Sequence, residues 1–304
     1  MTSVSARAWV LFLAVAVLWG VPYLFIKVAV DEVPAFAIVF ARAAIGAAVL
    51  LPAALPMRAM AGVRDRIGWV VLLGIVDFVV PFVLITYGEE EISSSLAGVL
   101  VASVPLLIAL LALRFDSSER VSGRRLAGLL VGAAGVVLLL GVDVSGNASE
   151  LAGAGMVLLA SLAYACASLI YKNKLADLRA VGVIGASLAI SGALLAVPAT
   201  VAGTGGTPSF DAAGSIAVLG VLCTGAAFLC FYALLAEVGA GRAAVVTYVA
   251  PIVAVAAGVA VLDEEVTAGM ISGMVLIIGG SWMATGGVRA SERPRQDSNL
   301  RPVA

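Results

Sequence analysis

The chain has 304 residues, 62% of them apolar and 12% charged, with a mean hydropathy of +1.13 and a formal charge of −1. That balance fits no soluble class of this length and leaves no basic surplus for a nucleic-acid partner. Histidine is absent, and Cys166, Cys223 and Cys230 stand singly in apolar stretches without a CxxC, so the cysteines read as packing residues and no metal or cofactor is expected.

Apolar stretches of about twenty residues, the length a helix needs to cross ~30 Å of hydrocarbon, recur along the whole chain. They fall near Trp9–Val28, Pro34–Leu55, Ile67–Tyr87, Ser93–Leu113, Gly123–Gly141, Leu151–Tyr171, Gly182–Val201, Ala213–Leu235, Ala243–Leu262 and Val266–Gly286. The predicted fold class is therefore all-α, a polytopic membrane protein of ten transmembrane helices. Of the 18 Lys and Arg residues, all but Lys27 and Arg42 fall in alternate connections or terminal segments, from Arg7 through Arg58, Arg64 and Arg66 to Arg301. The intervening connections collect acids such as Asp31, Glu32, Glu89, Glu90, Glu91, Asp263 and Glu264. Basic residues stay on the cytoplasmic side during insertion, which places both termini in the cytoplasm and the protein in the inner (plasma) membrane. Met1–Ala8 leads into a stretch long enough to span, so the first helix is expected to be retained. The polar tail, residues 290–304, is expected to be a disordered cytoplasmic segment.

In chain order, the first span carries Trp19, Tyr23 and Lys27, with Gly20 and Pro22 expected to open the helix locally. Lys27 either snorkels to the interface or points inward to an anionic group. Arg42 lies about halfway along the second span and Asp77 about halfway along the third. A charge at that depth costs about 3 kcal/mol on insertion scales, so each should face a cavity or a partner. Either Arg42 and Asp77 pair and lock two neighbouring helices, or Asp77 binds a substrate amine or a coupling proton, or it occupies a wet position without a role. Tyr87 ends the third span, and Glu89-Glu90-Glu91 reads as a solvated outer turn. Ser93-Ser94-Ser95 is expected to cap the fourth span, where Pro105 is a candidate hinge. Gly128, Gly132 and Gly135 on the fifth span, with Gly269 and Gly273 on the tenth, form small-xxx-small faces. Asn147-Ala148-Ser149 matches a glycosylation sequon by chance. Tyr164, Tyr232 and Tyr248 offer rings and hydroxyls to an interior, although core packing explains each as well. Tyr171 fits an interfacial belt, and Pro251 is the second candidate hinge.

The chain also repeats itself. Trp19, Lys27, Tyr87 and Gly128 match Tyr164, Lys172, Tyr232 and Gly273 at a constant spacing of 145 residues. Pro105 and Pro251 match with one residue more. Two units result, 1–145 and 146–289. Five spans per unit is an odd number, so the second unit enters the membrane from the opposite side. Inverted repeats are the architecture of many secondary transporters, because halves of opposite orientation give two access states of similar energy.

The segment Leu18-Trp19-Gly20-Val21-Pro22-Tyr23-Leu24-Phe25-Ile26-Lys27 resembles the first-helix signature of the drug/metabolite transporter superfamily, EamA type. Val104-Pro105-Leu106 and Ala250-Pro251-Ile252 resemble its proline-centred fourth and ninth helices. Leu262-Asp263-Glu264-Glu265-Val266-Thr267 resembles its Leu-Gly-Glu turn before the last helix, with Asp263 in place of Gly. Tyr164-Ala165 stands where the second half would repeat Trp-Gly, and Asp116-Ser117-Ser118-Glu119 replaces the first-half Leu-Gly-Glu.

The resemblance implies a ten-helix inverted-repeat carrier that moves small organic solutes, usually outward. Its cavity would be lined by helices one, three, four, six, eight and nine. Helices five and ten would pack outside, where their glycines could support a homodimer.

The residues contain no HExxH, no GxSxG with partners, no Walker loop and no ring of charge, which argues against an enzyme, a pump driven by ATP or a channel. The expected function is secondary export of a small metabolite such as an amino acid, by alternating access with bends at Pro22, Pro105 and Pro251. A drug or nucleotide-sugar permease of the same fold, and a membrane scaffold, are the alternatives. The expected partners are a small-molecule substrate, the lipid bilayer and, if transport is proton-coupled, a proton on Asp77.

Overall fold

A computed structural model describes residues 5–115, 123–143 and 147–285. The described residues form ten apolar helices: α1 (Ala6–Val30), α2 (Ala35–Ala54), α3 (Arg64–Glu91), α4 (Ser94–Ala112), α5 (Gly123–Gly141), α6 (Ala148–Lys174), α7 (Ala180–Ala202), α8 (Phe210–Val238), α9 (Gly241–Leu262) and the shorter α10 (Ala268–Ala284). The tail from 290 and the Asp116–Glu119 segment lie outside the described residues.

Helix ends follow local chemistry. Five N-termini are capped by side chains: Ser5 accepts from Ala8 N, Ser93 from Leu96 N, Asn147 from Ser149 N, Ser209 from Ala212 N and Thr267 from Met270 N. Asn147 thus serves as the cap of α6, and Ser93 takes the capping role within its serine run. At the C-termini, Gly203 (φ 71°) and Gly239 (φ 79°) turn the chain out of α7 and α8, and Asp263 (φ 53°) does so after α9.

The proline breaks differ. Helix α1 is interrupted at Val21, directly before Pro22, and α4 at Ala102–Ser103, ahead of Pro105. Pro251, the repeat mate of Pro105, sits inside an unbroken helix from Val246 to Leu262. The larger backbone departures are π-helical turns at Gly74–Val79 in α3, just ahead of Pro81, and at Val221–Ala226 in α8, where no proline follows. They occupy nearly equivalent positions in the two repeats, and serine and threonine side chains take up carbonyls around them. Ser187 Oγ on α7 donates to the Val70 carbonyl (3.1 Å) and Ser191 Oγ to the Gly74 carbonyl (2.9 Å). In α8, Thr224 Oγ1 donates to the Leu219 carbonyl (2.8 Å).

The repeats interleave. Helix α2 crosses α7 in the middle of the bundle. The end of α3 packs on the start of α6, and the start of α1 on the end of α8. Helices α5 and α10 lie side by side, joined through their glycines. A Cβ on Gly280 would stand 2.3 Å from Gly132 N, and one on Gly135 would stand 2.9 Å from Ile277 N. The glycine faces expected to serve a homodimer are therefore filled within one chain, and the outward sides of these helices carry Leu130, Val137, Ile271 and Val275 instead.

One boundary is corrected. The Glu89-Glu90-Glu91 run is no solvated turn: α3 continues through Glu91, and Glu89 is fully buried while Glu90 and Glu91 are exposed.

Neighbouring glycines on α10 should respond oppositely to the same substitution. Gly280→Ala forces Cβ into the α5 backbone and should destabilise by about 1–3 kcal/mol. Gly279→Ala meets nothing within 4 Å and should be neutral or mildly stabilising. Thermal unfolding midpoints of the two variants in one detergent distinguish the outcomes.

Candidate functional site

Arg42 projects from the middle of α2 and is only 8% exposed. Its guanidinium carbon lies 3.8 Å from the centre of the Phe82 ring of α3, and Nε donates to Thr224 Oγ1 in the π-turn of α8 at 3.1 Å. Stacking on a ring face and a hydroxyl acceptor hold the cation in place without neutralising it. Asp77 sits in the π-turn of α3, half-buried. Among the described residues no hydrogen bond or ion pair engages it, and the ion pairs present are Arg7–Glu237 and Arg66–Asp177. The alternative in which Arg42 and Asp77 lock two helices as a salt bridge is not what forms.

Tyr164 of α6 lies within electrostatic reach of both Arg42 and Asp77, and Tyr232 of α8 within reach of Asp77. Tyr23 of α1 interacts with Tyr164 and Arg42 in turn. An aromatic wall closes this interior toward α8. Trp19 contacts Phe228 (5.8 Å) and Phe231 (4.7 Å), Phe228 stacks on Tyr232 (6.0 Å), and Phe78 joins Phe228 (5.9 Å) to Phe82 (5.6 Å). Five of the candidate residues, Trp19, Tyr23, Arg42, Tyr164 and Tyr232, thus share one interior with Asp77.

Three candidates stand elsewhere. Tyr87 packs edge-on against Phe36 of α2. Tyr248 hydrogen-bonds Thr285 beyond the end of α10 (3.1 Å), so its hydroxyl is directed to the periphery. Lys27 neither snorkels to an open interface nor meets a side-chain anion. Its Nζ donates to the main-chain carbonyls of Glu89 (2.6 Å) and Ile92 (3.1 Å), at the C-terminal end of α3. A cation there complements the helix dipole and fastens α1 to α3.

Two further ties cross between the repeats at the same, acidic end of the bundle. Glu264, in the turn after α9, accepts from Ser94 N (2.8 Å) and Ser95 N (2.9 Å) at the start of α4. Glu32 accepts from Ser209 N (2.8 Å) and Oγ (2.7 Å) at the start of α8. Asp177, 145 residues after Glu32, makes the equivalent tie at the basic end, where Arg66 holds it through Nη1 (3.0 Å) and Nη2 (2.8 Å) at the start of α3.

The two ends are not closed equally. At the acidic end Gly88 and Gly153 bring α3 and α6 into backbone contact, whereas their repeat mates at the basic end are Ala233 and Ala8. There a cleft of about 180 Å³ opens between α1, α8 and α9, lined by residues including Ala8, Trp9, Phe12 and Arg242.

An all-helical bundle of two interleaved five-helix repeats, with unneutralised charges in its interior, is the architecture of a membrane carrier. The chain belongs to the EamA-like transporter family, whose sequence profile matches residues 6–141 and again 151–286. It is 23% identical over 277 residues to the uncharacterized transporter YoaV of Bacillus subtilis (strain 168), covering 90% of this chain and 94% of that one. It is 26% identical over 298 residues to a probable amino-acid metabolite efflux pump of Escherichia coli (strain K12), covering 94% and 97%. A solved crystal structure shares the fold with a TM-score of 0.66 at 22% identity, covering 93% of this chain and 99% of that one.

Glu264 stands outside the spans. Partial burial works against its ionisation, but the combined hydrogen bonds from Ser95 and Ser94 outweigh that and hold the carboxyl below the usual carboxylate range. A lowered value in the folded state means the tie stabilises at neutral pH and is lost as pH falls through that value. Glu264→Gln should therefore unfold at lower temperature than the parent at pH 7. The gap should narrow as pH drops below about 4, when the parent also loses its charge. Paired thermal unfolding curves across pH check both the sign and the convergence.

Proposed function

We propose that this transporter exports small zwitterionic metabolites of the amino-acid type, and that Arg42 and Asp77 hold the two ends of the substrate. The separated, unneutralised charges carry the reading: a cation fixed on Phe82 and Thr224, and an acid without a partner, with Tyr164 in reach of both. A substrate carboxylate fits the free Nη atoms of Arg42, a substrate ammonium fits Asp77, and a zwitterion satisfies both charges at once without adding net charge to the interior. Tyr164 and Tyr232 contribute hydroxyls beside the ammonium end, while Phe228 and Trp19 offer faces to an apolar side chain. The E. coli relative, named as a probable amino-acid metabolite efflux pump, supports the same class of substrate.

In this proposal the basic end faces the cytoplasm, because translocated connections are poor in Lys and Arg. The protein is a multi-pass component of the plasma membrane with both termini inside. Substrate entry at the basic end and release at the acidic end constitute export. The first repeat corresponds to residues 1–145 and the second to 146–289, and the π-turns join Pro22 and Pro105 as points about which the helices bend.

Cells that overproduce the protein should release one or more amino acids or close analogues faster than control cells. Loss of one charge-assisted contact is worth about 1.5–3 kcal/mol, so Asp77→Asn and Arg42→Gln should each weaken apparent affinity about 10- to 100-fold. Phe231→Leu, at the rim of the aromatic wall, should have a smaller effect. Quantified efflux from loaded cells, normalised to membrane expression, tests this. Wild-type rates in both charge variants would remove the zwitterion site.

A further inference from the structure

Glu89 is the least exposed acidic or basic side chain among the described residues, and neither of its carboxyl oxygens has a hydrogen-bond partner. One turn earlier, the Thr86 hydroxyl is likewise buried and unpartnered. The charged and titratable groups around the carboxyl come from several elements: Lys27 from α1, Arg42 from α2 and Glu264 from the α9–α10 turn, with the Tyr23 phenol of α1 also in reach. Glu90 and Glu91 follow on the same helix and are exposed. Helix α6 brings Gly153 and Val157 against Gly88.

Lys27 is the informative neighbour. Its ammonium bonds the main-chain carbonyl of Glu89 and not the carboxyl of the same residue. A carboxylate ion stripped of water and given no donor is far costlier to bury than the neutral acid. An ammonium so close would be expected to turn to the ion, were the ion present. A cation spent on carbonyls beside an unpartnered buried carboxyl is the arrangement of an acid that carries its proton.

We propose that Glu89 is a proton-binding site and that its occupancy controls the Lys27 tie at the acidic end. With the proton bound, Lys27 holds the carbonyls of Glu89 and Ile92 and fastens α1 to α3. When the proton leaves for water, the carboxylate and the Lys27 ammonium together are costly to keep dry, so water enters between α1 and α3 to hydrate them and the tie to the carbonyls is given up. One proton is exchanged with solvent and no other group changes its charge. The repeat mate of Glu89 is Leu234, so the opposite end of the bundle has no such acid and the device acts on one access state alone. The proposal builds on the carrier reading, since it assigns a control to the closure that transport requires.

Thr86 lies behind this closure and reports on it. In a chain whose natural cysteines are replaced by alanine, Thr86→Cys is labelled in intact cells with a membrane-impermeant thiol reagent. Its rate is normalised to that of Thr204→Cys on the exposed α7–α8 connection. As pH is raised, the normalised rate should rise on the order of tenfold. Glu89→Gln should hold it at the low value throughout, Glu89→Asp should keep a pH response, and Lys27→Met should be fast at every pH. A pH response unchanged by Glu89→Gln overturns the proposal, as does slow labelling in Lys27→Met. Because labelling is read without transport, failed efflux with Glu89-dependent labelling intact would strike the substrate reading and leave the proton site standing.

Discussion

Inside hydrocarbon no water is at hand for a backbone carbonyl or amide, so every departure from a regular helix must be met by a protein group or by a water-filled interior. This one constraint organises the transporter. The π-turns of α3 and α8 widen the helix and loosen its hydrogen-bond ladder at mid-depth, and the helices crossing them supply the missing groups. Ser187 and Ser191 serve α3 from α7, and Thr224 serves α8 from within while receiving the Arg42 guanidinium from α2. Arg42 and Ser187 are repeat mates. In one half a serine hydroxyl bonds a backbone carbonyl directly, and in the other a cation bonds the threonine hydroxyl that does so. On one side only, the residue at this position is a charged wall of the candidate binding site.

The ties between the repeats follow the same logic of symmetry with local divergence. Glu32 and Asp177 occupy equivalent corners at opposite ends of the bundle, and each reaches the start of a long helix in the other half. The acidic-end version uses a serine N–H and hydroxyl, and the basic-end version an arginine fork. Both are exposed, so neither adds much to stability. Their consequence is positional: each fixes how one half registers against the other at its own end, while the middle of the bundle is left to the π-turns and the aromatic wall.

Much of this fold is legible in the residues alone. The count of spans, their alternation in charge and the 145-residue spacing follow from hydropathy and arithmetic, because lipid imposes length and insertion imposes sidedness. The depth of Arg42 and Asp77 marked both as interior residues. Their failure to pair was not legible, since it depends on Phe82 and Thr224, which look like ordinary core residues until α2, α3 and α8 are brought together. Nor was the π-turn of α8, which no proline marks, whereas Pro81 stands just after the one in α3. Glu89 was hidden by its neighbours: three glutamates in a row read as a wet turn. The overlooked signal was helical period, which sets Glu89 on the face of Phe82, Ile85 and Thr86. Lys27 stands out in the sequence as a cation inside a span, but its acceptors are main-chain atoms, and main-chain acceptors leave no mark in a sequence.

A carrier built from two similar halves of opposite orientation has two access states that differ little in energy, and an alternation useful to a cell needs that difference to stay within a few kcal/mol. The residues that break the symmetry are then those that set the bias. Gly88 and Gly153 allow a closer approach of α3 and α6 than Ala233 and Ala8 allow between α8 and α1, which favours closure at the acidic end. A break precedes Pro105 in α4 while α9 runs straight through Pro251, so the two repeats do not flex at the same place. Strengthening closure at one end alone would trap the protein there, unless something at that end can also undo it. Lys27 on the carbonyls of α3 and Glu264 on the amides of α4 are both reversible, because each is a hydrogen bond made by a charged group, which a change of charge at or beside that group weakens. Tight packing by glycine combined with removable charge is a physically sufficient way to make a closure both stable and temporary.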